Sequence, residues 1–232
     1  MCFPGRLILM AAFCMLFLCV LFSIPGVTLH AGTPAREFTY TGENPLLAAV
    51  TKGDYDSVKT FLEKGVPADS RGENGYTALI IAAYGGHGDI VKLLLQNDAN
   101  PNLRDDNGST PLTVAARYGH TEIAKLLLSY GNFVNIRDNR GNSALVIASM
   151  SGYTEIVKLL ISKGAFINSR GGNDITALMA ATEHGHYETV EYLLSKGARV
   201  NSERSDGKRA LTLAEENKYD EIAELIRKFG GK

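Results

Sequence analysis

Leucine returns at one fixed interval along this chain: Leu46, Leu79, Leu112, Leu145, Leu178 and Leu211 stand 33 residues apart, with no insertion or deletion between them. A constant period of that length marks one structural unit used repeatedly, each copy burying its apolar face against the next. Other residue classes keep the same step. Gly53, Gly86, Gly119, Gly152 and Gly185 form a second register, and Gly65, Gly131, Gly164, Gly197 and Gly230 a third, with Asp98 in its missing place. Asn102, Asn135, Asn168 and Asn201 form a fourth, preceded by Asp69.

The third copy shows what a unit predicts. Thr110 can cap free backbone amides, Pro111 suits a first helical turn, and Leu112, Ala115 and Ala116 make a small apolar face, so a short inner helix begins there. Gly119 breaks it. Ile123, Leu126, Leu127 and Leu128 then keep the three-and-four spacing of a second, outer helix. Gly131 follows, where a helix end needs the left-handed backbone that costs most residues about 1–2 kcal/mol. Asn135 to Gly141 is polar and reads as a turn. Leu112, Leu145, Leu126 and Leu159 are expected in the core.

These residues resemble the ankyrin repeat. The family's T-P-L-H motif stands as Thr110-Pro111-Leu112-Thr113, with Thr77-Ala78-Leu79-Ile80, Ser143-Ala144-Leu145-Val146, Thr176-Ala177-Leu178-Met179 and Arg209-Ala210-Leu211-Thr212 beside it. The family's second helix stands as Gly119-His120-Thr121-Glu122-Ile123-Ala124-Lys125-Leu126-Leu127-Leu128, and its G-A-x-V-N ending as Gly197-Ala198-Arg199-Val200-Asn201. The resemblance implies an all-α solenoid of stacked helix-turn-helix units with β-hairpin or loop connections and a partner-binding role. It covers six units, at about 44–73, 74–106, 107–139, 140–172, 173–205 and 206–232. The motif histidine is absent, replaced by Ile80, Thr113, Val146, Met179 and Thr212, which implies a stack that relies more on apolar packing. The first unit lacks a preceding hairpin. The last carries Glu215, Glu216, Asn217 and Lys218 on its inner helix, the polar character that shields an array's end.

Ahead of the array the pattern changes. Arg6 precedes Leu7 to Ile24, eighteen uncharged residues, then Pro25-Gly26 and the small-residue stretch ending Leu29-His30-Ala31-Gly32. Residues 1–31 therefore read as a secretory signal peptide cleaved after Ala31, with 32–43 a short linker. The alternative is an uncleaved anchor, since eighteen apolar residues just reach the length that spans a bilayer. Either places the repeats outside the cytoplasm, periplasmic or secreted, or anchored by residues 7–24. Cys19 follows Leu18, whereas a bacterial lipoprotein signal wants a small residue there.

Cys2, Cys14 and Cys19 all fall in this segment, so residues 32–232 carry no thiol for a disulfide, zinc site or nucleophile. Removing residues 1–31 leaves 23 basic and 25 acidic side chains, a formal charge of −2. No basic stripe of the kind a nucleic acid needs is evident.

Candidate chemistry is sparse. His87, His120 and His186 share one repeat position and read as architecture. His184 and His186, flanked by Glu183 and Glu188, could suggest a metal site, but a turn between helices converges too few ligands. No G-x-S-x-G elbow or phosphate-binding loop occurs. Arg71, Arg104, Arg137 and Arg170 form a ladder that resembles an anion track, yet Asp105 and Asp138 lie close enough to pair with it. Asn107-Gly108-Ser109 is a sequon and also a good turn. No cofactor and no metal are expected.

Stacked units present a continuous concave face of hairpin tips and inner helices. Residues fixed by the register build it, and those that vary at equivalent positions are free to recognise. On the hairpins these include Tyr76, Asp106, Asn107, Asn139, Arg140, Asn142 and Asn173. On the inner helices they include Tyr84, Arg117, Tyr118, Met150, Glu183 and His184. Aromatic, arginine and methionine side chains dominate protein interfaces, which singles out Tyr76, Tyr84, Arg117, Tyr118, Arg140 and Met150. The expected protein is a monomeric, non-catalytic scaffold binding another protein, with a membrane involved only if the N-terminal segment is retained. A secreted effector meeting host proteins, a tethered adaptor, and an enzyme acting through Glu183 and His184 are the alternatives.

Overall fold

The computed structural model describes residues 44–131 and 133–232. The expected export segment and linker, residues 1–43, lie outside the described residues. Six helix pairs follow one another: α1 (Pro45–Lys52) with α2 (Tyr55–Glu63), α3 (Ala78–Gly85) with α4 (Gly88–Gln96), and α5 (Pro111–Tyr118) with α6 (Thr121–Ser129). Then come α7 (Ala144–Ser151) with α8 (Thr154–Ser162), α9 (Ala177–Glu183) with α10 (Tyr187–Ser195), and α11 (Ala210–Glu216) with α12 (Asp220–Lys228). The described chain is thus an all-α solenoid.

Every inner helix but the last starts where a short polar side chain can take up a free amide. Asn44 accepts from Leu46 N at 3.0 Å, Thr77 from Ile80 N at 3.3 Å, Thr110 from Thr113 N at 3.2 Å and Thr176 from Met179 N at 3.3 Å. Such a cap is worth about 1 kcal/mol. Thr113 returns the bond, accepting from Thr110 N at 2.8 Å, so the hydroxyl in place of the motif histidine is satisfied locally. Ile80, Val146 and Met179 at the same position are buried, whereas Thr212 is half-exposed in the last unit. Arg209 offers no side-chain cap to α11.

Inner helices pack on inner helices, and more closely than outer helices pack on outer ones. The cause is side-chain size. Ala82, Ala83, Ala115, Ala116, Ala148, Ala180 and Ala181 are buried along the inner row, while the outer row packs through Ile90, Leu94, Ile123, Leu127, Ile156, Leu160 and Val190. Closer spacing on one side curves the array and makes the inner side concave. One core runs from Leu46 to Ile226. Leu112 and Leu145 lie inside it as expected. Leu126 and Leu159 do not: both are half-buried at its margin, and Leu127 and Leu160 fill the interior, because the outer helices present the next residue round to the stack.

The fourth register is an inter-repeat clamp. Asp69 Oδ1 accepts from Asn100 N at 2.9 Å, Asn102 Oδ1 from Phe133 N at 2.8 Å, Asn135 Oδ1 from Phe166 N at 3.0 Å and Asn168 Oδ1 from Arg199 N at 2.7 Å. Asn135 also donates to Gly164 O at 3.2 Å. Each unit thereby holds the start of the next unit's loop in the same pose. The loops themselves contain isolated bridges, Arg71 with Thr77 and Arg137 with Ser143, and no strand among the described residues.

Candidate protein-binding face

The C-terminal ends of the inner helices open towards the concave side, and Tyr84 and Tyr118 stand at the ends of α3 and α5. Their ring centroids are 4.7 Å apart at 61°, an edge-to-face pair. Such pairs contribute about 0.5–1.5 kcal/mol beyond their buried area. Both rings are half-buried, so a supported aromatic surface faces outward. Arg117 lies next to Tyr118 and approaches Asp138 Oδ2 at 3.8 Å. Met150 occupies the register of Tyr84 and Arg117 one unit further on and is half-buried.

Beyond Met150 the same register turns ionic. Glu183 Oε1 takes a 2.8 Å bond from Arg204 Nη1, whose other nitrogens reach Asp206 at 3.0 and 2.7 Å. The bonds from Arg204 hold the Asp206 carboxyl well below the usual carboxylate range. His184 lies near parallel to His186, with centroids 6.1 Å apart, and its Nδ1 is 3.0 Å from Ala180 O. His186 Nε2 is 3.0 Å from Met150 O. Both imidazoles are engaged with backbone, and among the described residues no group of three or more His, Cys, Asp or Glu converges as a metal site.

The hairpin tips are zipped to one another. Asp106 N donates to Asn74 O at 2.9 Å, Asn139 N to Asn107 O at 2.9 Å and Ser205 N to Asn173 O at 3.1 Å. Where the next such link would fall, Gly172 N instead donates to Asn142 Oδ1 at 3.0 Å. Asn139 is used twice more, accepting from Arg104 Nη2 at 3.0 Å and donating to Asp106 O at 2.8 Å. Asn139 and Asn142 therefore hold the tips together, while the side chains of Asp106, Asn107, Arg140 and Asn173 are exposed.

Tyr76 belongs elsewhere. It is only 9% exposed and packs within the core. Burial pushes its phenol up, and the neighbouring Asp105 adds to the effect. It offers a partner little area. The arginine ladder also differs from expectation: Asp105 and Asp138 do not pair with it. Asp105 Oδ1 accepts from Ser109 N at 2.7 Å, and Asp138 Oδ1 from Arg140 N at 3.0 Å and Asn142 N at 2.8 Å. Turn amides with no other partner claim these buried carboxylates. Two of the ladder's members bond instead to carbonyls, Arg71 Nη1 to Arg104 O at 3.0 Å and Arg104 Nε to Gly108 O at 3.1 Å, and Arg170 pairs with Asp174 at 3.4 Å. The ladder is scaffold.

A family model for ankyrin repeats (3 copies) matches residues 7–105, 97–171 and 167–231. The chain belongs to the ankyrin repeat family. No curated protein matches it. Membership makes this ankyrin array a protein-interaction module, and it accounts for the histidine register. His87, His120, Tyr153, His186 and Tyr219 each set a ring against the glycine closing the inner helix of the preceding repeat, from Gly53 to Gly185. Sequence reasoning missed Arg204 as the partner of Glu183 and Asp138 as the partner of Arg117, since each pair joins an inner helix to the loop 21 residues further along the chain. It also passed over Phe133 and Phe166, whose shared register was available as a signal.

Proposed function

We propose that this ankyrin protein is a non-catalytic scaffold outside the cytoplasm, in the periplasm or envelope, that captures another protein on its concave face. The observation that carries this reading is the Tyr84–Tyr118 pair, two half-buried aromatic rings braced edge to face at the ends of neighbouring inner helices. Elsewhere the Tyr84 register holds Thr51, Arg117, Met150, Glu183 and Glu216 and the Tyr118 register Lys52, Gly85, Ser151, His184 and Asn217, so the tyrosine pair is particular to this position and not required by the stack. Pre-braced aromatic side chains lose little freedom on binding and make effective anchors. Arg117, Met150 and Arg140 extend the patch, and the Glu183–Arg204–Asp206 network gives its far end a fixed ionic edge. The location outside the cytoplasm is supported by Arg6, the uncharged run to Ile24 and the small residues before Gly32.

The test is crosslinked affinity capture of the tagged full chain from its own envelope, beside the Tyr84→Ala/Tyr118→Ala variant. The scaffold reading expects proteins enriched by the wild type and lost with the variant while helicity is unchanged. Equal capture by both removes this patch. Sequencing of the mature N-terminus separates a cleaved protein, starting near Gly32, from a tethered one.

A further inference from the structure

The array exposes aromatic side chains at a second place, where the outer helices end and the loops begin. Phe133 and Phe166 are 69% and 67% exposed, by far the most exposed large apolar side chains of the described residues. They are one repeat apart in register, and the asparagine clamp fixes both backbones identically, through Asn102 Oδ1 on Phe133 N and Asn135 Oδ1 on Phe166 N. Arg199 N receives the same bond from Asn168 one repeat further on. Equal backbone poses send Phe133, Phe166 and Arg199 out from the array in the same sense, about 10 Å apart at the usual spacing of packed helices.

Three residues earlier, at the ends of the outer helices, stand Tyr130, Lys163 and Lys196, all exposed. No described ion pair engages Lys163, Lys196 or Arg199. The stretches 129–133, 162–166 and 195–199 contain no acid, although the chain as a whole has a formal charge of −1. Acids gather on the hairpin tips instead, at Glu73, Asp106, Asp174 and Asp206. The edge is thus a protruding row of aromatic and basic residues. It lies at the opposite end of the inner helices from Tyr84 and Tyr118, whose capture of a partner it does not obstruct.

We propose that this edge of the third to fifth repeats docks on an anionic lipid bilayer, with Phe133 and Phe166 entering the headgroup layer and Lys163, Lys196 and Arg199 lying against lipid phosphates. Two observations choose the occupant. A protein groove would recess its aromatic anchors, whereas these rings project, which suits a yielding planar surface better than a shaped partner. The charge is of one sign along these three stretches, the arrangement an anionic surface attracts, each basic side chain contributing about fivefold in partition. The docking uses the folded repeats and does not require the N-terminal segment to be retained.

The chain has no tryptophan, so Phe133→Trp or Phe166→Trp in the full-length protein gives a single tryptophan at the edge, excited selectively beyond the tyrosine absorption. Its emission should shift to the blue with vesicles of phosphatidylglycerol and phosphatidylcholine, and should be quenched by brominated acyl chains. Vesicles of phosphatidylcholine alone should leave it unchanged. Adding Lys163→Glu, Lys196→Glu and Arg199→Glu should weaken the shift by at least about a hundredfold in lipid concentration, with circular dichroism unaltered. A tryptophan at Asn107, on the hairpin tips, should stay in water. The proposal is overturned by no shift on anionic vesicles, by an equal shift on neutral ones, by a shift that survives the charge reversals, or by one at Asn107 as well. A shift that grows with protein concentration in the absence of lipid also overturns it, in favour of an interface between copies.

Discussion

The imidazole of His186 fills the space a Cβ on Gly152 would need: such an atom would stand 2.5 Å from His186 Nδ1, and the ring's Nε2 lies 3.0 Å from Met150 O. Gly152 is also held at φ 75°. Two separate demands for glycine therefore meet at one position, one set by the chain's own turn and one by the next repeat.

A comparison of glycines separates those demands. Gly164 has φ 85° and nothing within 4 Å of where its Cβ would be, so Gly164→Ala should cost only the left-handed strain, about 1–2 kcal/mol. Gly152→Ala adds the collision and should cost about 2–5 kcal/mol. Urea unfolding of the two variants checks this. Combining Gly152→Ala with His186→Ala removes the clash, so the double variant should lose less than the sum of the singles. Equal costs for the two glycines would mean the ring yields freely.

Neighbouring leucines on α8 make a second contrast. Leu160 is fully buried and Leu159 only partly. Leu160→Ala should cost about 2–5 kcal/mol, and Leu159→Ala clearly less, since it leaves a dent open to solvent and no closed cavity. In a stack joined only through neighbours, the loss at Leu160 should also loosen the fourth and fifth repeats first. Hydrogen exchange of the α8 and α10 amides reads that spread, and protection lost evenly across all the described helix pairs would contradict it.

The same pair shows how far the sequence was legible. The 33-residue register located the helix pairs and the cap at Thr110, because those depend on residues close together in the chain. Leu159 was misjudged because helical spacing tells which residues share a face but not how the outer row is rotated against its neighbour. Tyr76 was assigned to the surface because its variation between repeats was visible and its burial was not. Asn139 and Asn142 looked free for the same reason, yet their partners, Arg104 and Gly172, lie 35 and 30 residues away along the chain. The Tyr84–Tyr118 contact joins registers that differ by one residue, so no single register displays it.

Asp105 carries a pH dependence opposite to the usual one for a carboxylate. Burial raises its pKa above the ordinary 3.8, partly offset by bonds from Ser109 and Asn107 amides. The folded state then holds this proton more tightly than the unfolded one, so the residue's contribution falls as pH rises from about 4 through the raised value. Asp105→Asn keeps an oxygen for Ser109 N and removes the charge. Relative to the variant, the wild type should lose stability as pH rises through that window and run parallel to it at neutral pH. Curves that stay parallel from acid to neutral would exclude the effect.

Ser149 offers a case where a polar group costs stability. Its hydroxyl is fully buried with no hydrogen-bond partner, as is that of Thr182 in the same register one repeat on. Ala83 and Ala116 occupy that register in the second and third repeats, both fully buried in the same inner row. The surroundings already suit a methyl group, and an unsatisfied buried hydroxyl costs about 1–3 kcal/mol relative to water. Ser149→Ala therefore removes a penalty while creating almost no cavity, and should stabilise the protein by about 1 kcal/mol. Thermal and urea unfolding measured together test this, since a true gain raises the midpoint without changing the urea dependence. A destabilised variant would mean that the hydroxyl has a partner, such as a trapped water.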